Sequence, residues 1–182
     1  MFTRSVVVHL LLGVTELNPE NLLLVFAEVS VAYVGFGAIV AALQSRTDSW
    51  SIENRFLFRA IVESAFGSLL VAVIPLLVSG FGYTEGALWA YSSSLVALGA
   101  VCALIFRVFQ LRPTFNKQPR VLRYIAWPPT LFSLGCFVGN AFYWQAAGPY
   151  ILANATMILQ ASVMFLVLLY RIFPIGNKES HV

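Results

Sequence analysis

The chain has 182 residues, of which 59% are hydrophobic, 14% aromatic and 10% charged. Soluble domains carry about 25% charged residues, so this composition excludes an ordinary water-soluble domain. The mean hydropathy of +0.82 and the long apolar runs between short charged segments indicate that lipid surrounds most of the fold. The formal net charge of +3 is small, and we expect no nucleic-acid binding.

Sequence motifs for metal, phosphate or nucleophilic chemistry are absent. No CxxC, HExxH, GxxxxGK[ST] or GxSxG pattern occurs, and His9 and His181 are the two histidines of the chain, too few for a multi-histidine metal site. Cys102 and Cys136 lie in apolar runs, where a thiol behaves as a small hydrophobic group. We therefore expect no cofactor, no metal and no enzymatic activity.

Residues 1–20 form an N-terminal arm with a basic start and a short apolar stretch, MFTRSVVVHLLLGV. The stretch is too short to cross a membrane, which favours a helix at the outer interface that ends near Gly13. A cleaved signal peptide is the alternative, although no small-x-small cleavage site follows.

Five apolar segments are long enough to cross about 30 Å of hydrocarbon as helices. The sequence predicts an all-α polytopic membrane bundle formed by one transmembrane domain, residues 21–173, with a cytoplasmic tail, residues 174–182. The predicted spans are 21–43, 57–79, 86–109, 124–145 and 149–173.

The basic residues are distributed unevenly between the connections. All Lys and Arg residues except Arg4 fall on one side of the predicted topology. Because positively charged connections stay in the cytoplasm, we expect the N-terminus outside and the C-terminus in the cytoplasm. The pattern is typical of small proteins of the bacterial inner (plasma) membrane.

The first span contains Glu28, seven residues from its predicted outer end. One face of this helix joins the acid to mostly small residues: Glu28, Val31, Ala32, Gly35, Ile39 and Ala42. Small residues let another helix approach closely, so we expect Glu28 to face protein or a cavity. The opposite arc is bulkier and suits lipid: Val29, Tyr33, Phe36, Val40 and Leu43.

Glu28 has two interpretations. Acids inside membranes often mark ion pathways or proton relays, which makes Glu28 a candidate cation or proton site. The alternative is a hydrogen-bonded carboxyl group that joins two helices.

In the second span, Glu63 follows Arg59 at i, i+4 spacing. This spacing predicts a structural ion pair, in which Arg59 extends toward the headgroups while it bonds Glu63. The alternative makes Glu63 a second acid on the pathway of Glu28.

The remaining spans carry small and amide side chains. The serines and glycine of the third span place it near the bundle centre, and Gly135 and Gly139 of the fourth form a GxxxG packing motif. Asn140, Asn154 and Gln160 either bond across to neighbouring helices or line a polar route.

A basic segment follows the third span. Its positive side chains are candidates for binding anionic lipid headgroups, although they also serve as a topology signal. They are Arg112, Lys117, Arg120 and Arg123.

Two functional hypotheses follow from these features. The first is a homo-oligomeric channel or transporter for cations or protons, to which Glu28, Glu63 and the three amides contribute. The alternative is a non-transporting accessory or scaffold protein that acts through its basic cytoplasmic loops. The expected partners are membrane lipids and further copies of the same chain.

Overall fold

A computed structural model describes residues 18–44, 51–83, 85–111 and 120–172, with the side chains of residues 43–44, 52, 107–111 and 120–126 left out. In these ranges all regular structure is helical, as the sequence predicts. The five α-helices are α1 (Pro19–Gln44), α2 (Ile52–Ser79), α3 (Glu85–Leu111), α4 (Arg120–Gly139) and α5 (Ala147–Ile172).

Four of these helices, α1, α2, α3 and α5, are long and apolar enough to cross a membrane. The helix α4 has 20 residues and continues into a π-helix, Asn140–Trp144. The prediction of a membrane protein is thus supported. Five crossings and an outer N-terminus stay predictions, and most of the N-terminal arm and all of the predicted tail lie outside the described residues.

Local capping explains where the first two helices begin. Pro19 occupies the first position of α1, where its missing N–H costs no helical hydrogen bond, and the Asn18 side chain accepts from the Glu20 N–H at 3.0 Å. The Ser51 hydroxyl caps α2 by accepting from the Asn54 N–H at 3.2 Å. This cap starts α2 five residues before its predicted beginning.

The centre of the bundle is formed by α2 and α5, which bury the largest shares of their apolar stretches, whereas α3 buries the smallest. The prediction that the third span lies at the centre is therefore wrong. Ser92 and Ser93 of α3 are buried, but a Cβ atom built at Gly99 would meet nothing within 4 Å, because only one narrow side of α3 contacts the described bundle.

A proline in α2 creates the main polar contact between the two central helices. Pro75 has no N–H to bond the carbonyl of Val71, four residues earlier. The Tyr150 hydroxyl of α5 donates to that carbonyl at 2.6 Å, as a carbonyl in a membrane interior requires. The rings of Trp89 and Phe137 lie 5.5 and 5.3 Å from the Tyr150 ring, so residues of α2, α3 and α4 all meet at Tyr150.

An ion pair between Arg171 and Glu53 joins the other ends of the central helices. Arg171 belongs to the last turn of α5 and Glu53 to the first turn of α2. The antiparallel packing of α2 against α5 is therefore stabilised at this end by the Arg171–Glu53 ion pair and near Val71 by the hydrogen bond from the Tyr150 hydroxyl.

We predict that Tyr150→Phe lowers the free energy of unfolding by about 1 to 2 kcal/mol, because the Val71 carbonyl then stays buried without a donor. Equilibrium unfolding in mixed micelles measures the change. Tyr143→Phe is the matched control, since Tyr143 is 84% exposed, and it should leave stability unchanged.

A double-mutant cycle separates this hydrogen bond from ring packing. Pro75→Ala restores an N–H that bonds the Val71 carbonyl within α2, so Tyr150→Phe should cost less in that background, with a coupling of at least about 0.5 kcal/mol. Equal losses in both backgrounds would show that the hydroxyl contributes nothing through this carbonyl.

Candidate functional site

One side of α1 holds it against the bundle. Leu23, Ser30 and Gly37 are buried on this side. The hydroxyls of Tyr33 and Ser162 lie 2.6 Å apart, and the Tyr33 ring meets the ring of Phe165 edge-on at 5.9 Å. Contact with α5 therefore uses the bulky arc of α1, which the sequence assigns to lipid.

The opposite side of α1 carries the acid. Its residues, which we call the Glu28 face, are all exposed: Glu28, Val31, Ala32, Gly35 and Ile39. The expected protein or cavity beside Glu28 stays a prediction, since no described helix of the same chain covers this face. The reason is that Tyr33 needs a hydrogen-bond partner inside the bundle and finds Ser162, which turns the small residues outward.

Two glycines, two residues apart in the sequence, show that the two sides of α1 have different surroundings. A Cβ atom at Gly37 would lie 3.4 Å from the Phe58 ring and 3.5 Å from the Val62 side chain, whereas one at Gly35 would meet nothing within 4 Å. Gly37 thus allows α1 to approach α2. Gly35, the predicted packing residue, is exposed on the outside of the bundle.

We predict that Gly37→Leu destabilises the subunit by about 1 to 3 kcal/mol, because the added side chain overfills the α1–α2 contact. Gly35→Leu, its matched control, should change the free energy of unfolding by less than about 0.5 kcal/mol. Equilibrium unfolding of monomeric protein in detergent measures both changes. Equal losses of unfolding free energy in the two variants would contradict the conclusion that α1 packs through Gly37 and not through Gly35.

Glu63 lies half-buried on α2 beside Arg59. The Arg59 Nε atom is 2.5 Å from Glu63 Oε1, at side-chain exposures of 56% and 33%, as the i, i+4 spacing predicts. Gly37 of α1 lies against Val62, the residue before Glu63, so Glu63 lies at about the level of Gly37. Because Glu28 precedes Gly37 by nine residues, the two acids are separated by about 13 Å along the axis of α1. The structure does not bring them together as a dyad.

Asn140 is fully buried where α4 ends. Its Nδ2 donates to the Ser93 hydroxyl at 2.8 Å, and its Oδ1 accepts from the Ala146 N–H at 3.0 Å. The backbone carbonyl of Asn140 accepts from Gln145 at 3.1 Å. Asn140 therefore closes the π-helix and ties α3 to the connection that leads into α5.

Asn154 and Gln160 are buried on α5. Asn154 Oδ1 accepts from the Ser68 hydroxyl of α2 at 2.7 Å, and Gln160 Oε1 lies 3.4 Å from the Thr130 hydroxyl of α4. Nearby, the Ser133 hydroxyl donates to the Ala153 carbonyl at 3.1 Å. The amides thus bond across helices inside the subunit, away from the Glu28 face.

The two glycines of the GxxxG motif have different surroundings. A Cβ at Gly135 would meet nothing within 4 Å, and one at Gly139 would lie 2.6 Å from the ring of Trp144. Because the π-helix folds Trp144 back over Gly139, the chain itself covers half of the motif. A contact between subunits through Gly135 stays a prediction.

The predicted headgroup ligands are only partly within the described ranges. Arg112 and Lys117 lie outside them, and Arg120 and Arg123 belong to the first turns of α4, where the backbone alone is described. Among the described residues, no three His, Cys, Asp or Glu side chains are grouped to hold a metal ion.

Sequence reasoning missed the roles of Tyr33 and Tyr150, two tyrosines whose hydroxyls join α5 to neighbouring helices. A signal for Tyr150 exists, because Pro75 inside a span frees a carbonyl that needs a donor from another helix. The sequence does not say which of several hydroxyls supplies that donor. Comparisons with protein-family models, curated proteins and solved structures found no match to this chain.

Proposed function

We propose that the protein is a homo-oligomeric channel or transporter for protons or small cations, whose path runs between subunits along the Glu28 face. The observation that carries the proposal is the position of Glu28. It lies within the apolar stretch of α1 and is exposed on the outside of the subunit.

An acid in this position is costly to leave in lipid. A charged side chain at the centre of a membrane helix costs about 3 kcal/mol even on lenient scales, so such residues normally face protein or a water-filled path. In the described chain no other helix covers the Glu28 face. A further copy of the subunit, with water or ions between the copies, supplies the missing polar surroundings.

The interior of the subunit favours a path between copies. The amides of Asn140, Asn154 and Gln160 bond Ser93, Ser68 and Thr130 on neighbouring helices, which explains their presence as helix contacts. Ala32 and Gly35 beside Glu28 are small enough for the copies to approach closely.

The function is tested by ion flux into liposomes that contain the purified protein. We predict that Glu28→Gln lowers proton or alkali-cation flux at least tenfold, because the amide keeps the shape of the side chain but neither carries charge nor exchanges a proton at neutral pH. Glu63→Gln is the matched control. Since Glu63 is paired with Arg59 near an exposed surface, its flux should stay within about twofold of the wild type.

Absence of flux from the wild-type protein, or equal flux from the Glu28→Gln variant, would contradict the proposal. If the inactive wild type instead co-purified with another protein through its basic loops, the accessory or scaffold function would replace transport.

Assembly through α1 is tested separately with three open glycines. Gly35, Gly99 and Gly135 are exposed, and a Cβ built at each meets no described atom within 4 Å, so each position has open space beside it for a larger side chain. We predict that only Gly35→Leu converts the oligomer to monomer, as measured by light scattering in detergent. Dissociation by Gly99→Leu or Gly135→Leu alone would place the subunit contact on α3 or α4.

A further inference from the structure

Asn154 Nδ2 and Ser92 Oγ are buried and have no hydrogen-bond partner among the described residues. Both residues are 0% exposed. A buried polar group without a partner costs about 1 to 3 kcal/mol, and lipid offers neither donor nor acceptor. Among the described residues nothing supplies the missing partner of either atom.

The Asn154 amide is satisfied at one end only. Its Oδ1 accepts from Ser68 at 2.7 Å. Because the serine hydroxyl both donates and accepts, the amide could be turned around without losing that bond. One end of the amide stays without a protein partner in either orientation.

Ser92 lies in the same layer of the bundle as Asn154. Asn140, at the end of α4, bonds Ser93 near the start of α3, and Ser133 of α4 bonds Ala153 of α5, so α3 and α5 both run opposite to α4. The Trp89 and Tyr150 rings meet at 5.5 Å. Ser92 follows Trp89 by three residues and Asn154 follows Tyr150 by four, which places both about one turn further along.

We propose that this layer binds one internal water molecule held by Asn154, Ser92 and Ser68. Water fits the unsatisfied atoms, because it accepts from an amide N–H and also donates to a hydroxyl oxygen. Three protein partners are typical of a buried water. Two of the three side chains are serines, whose hydroxyls can both donate to and accept from a water molecule.

This site is independent of the proposed function. It lies inside one subunit, whereas the proposed path follows the outer face of α1. A water here completes the hydrogen bonding of Asn154 and Ser92, which join α5 and α3 to the buried polar groups of the bundle.

Water-edited solid-state NMR on the full-length protein, labelled with ¹⁵N-asparagine and reconstituted in bilayers, tests the proposal. Magnetisation transferred from water should reach the Asn154 side-chain amide at least about three times faster than that of Asn140. Asn140 is the matched control, because it is equally buried but bonds Ser93 and Ala146. Asn154→Asp identifies the signal. Transfer to Asn154 no faster than to Asn140 would overturn the proposal.

Two serine substitutions test whether Ser92 bonds the proposed water. Ser92→Ala should reduce water transfer to Asn154 at least twofold, because the water loses one partner. Ser94→Ala is the control, since the exposed Ser94 hydroxyl bonds the Ala90 carbonyl at 2.8 Å within its own helix, and it should leave the transfer unchanged. Equal effects of the two substitutions would remove Ser92 from the site.

Discussion

The arrangement of the helices depends on one hydrogen bond, from the Tyr150 hydroxyl to the Val71 carbonyl. Pro75 makes this bond necessary, because a carbonyl without its helical partner is costly in a membrane interior. Once Tyr150 reaches across to α2, its ring is positioned for Trp89 and Phe137 to pack on it. The contact thereby brings α3 and α4 to the same point on α5. The sequence places a proline and a tyrosine in separate spans, and the membrane environment turns them into a pair.

The polar residues of the chain separate into two groups with different surroundings. Asn140, Asn154 and Gln160 lie inside the subunit and bond neighbouring helices, where they hold the bundle together in the absence of a hydrophobic driving force between helices. Glu28 lies outside, on the face of α1 that α2 and α5 leave uncovered. This separation is the basis for assigning the amides to the fold and for proposing that the acid faces a further copy of the chain. It also explains why an internal water and an ion path are distinct proposals.

Features that depend on nearby residues were predictable. The extents of the helices follow from the length of each apolar run, because about 20 residues are needed to cross hydrocarbon. The Arg59–Glu63 pair follows from helical spacing alone. Features that depend on contacts between distant residues were not. The small-residue rule selects Gly35 as the packing residue of α1, whereas Gly37 is the glycine that lies against α2. The same rule assigns Gly139 to another helix, although the Trp144 ring covers it.

By itself, the sequence determined an all-helical protein with the composition of a membrane protein, the approximate ends of its helices and the isolated position of an acid in an apolar run. These properties come from local hydrophobicity and helical geometry. Only the tertiary structure decided that α2 and α5 form the centre, that α3 is peripheral and that Glu28 points away from the bundle. The physical reason is that a helix in lipid is oriented by the partners its polar groups find on other helices, and the Tyr33–Ser162 and Tyr150–Val71 pairs join residues that are far apart in the chain.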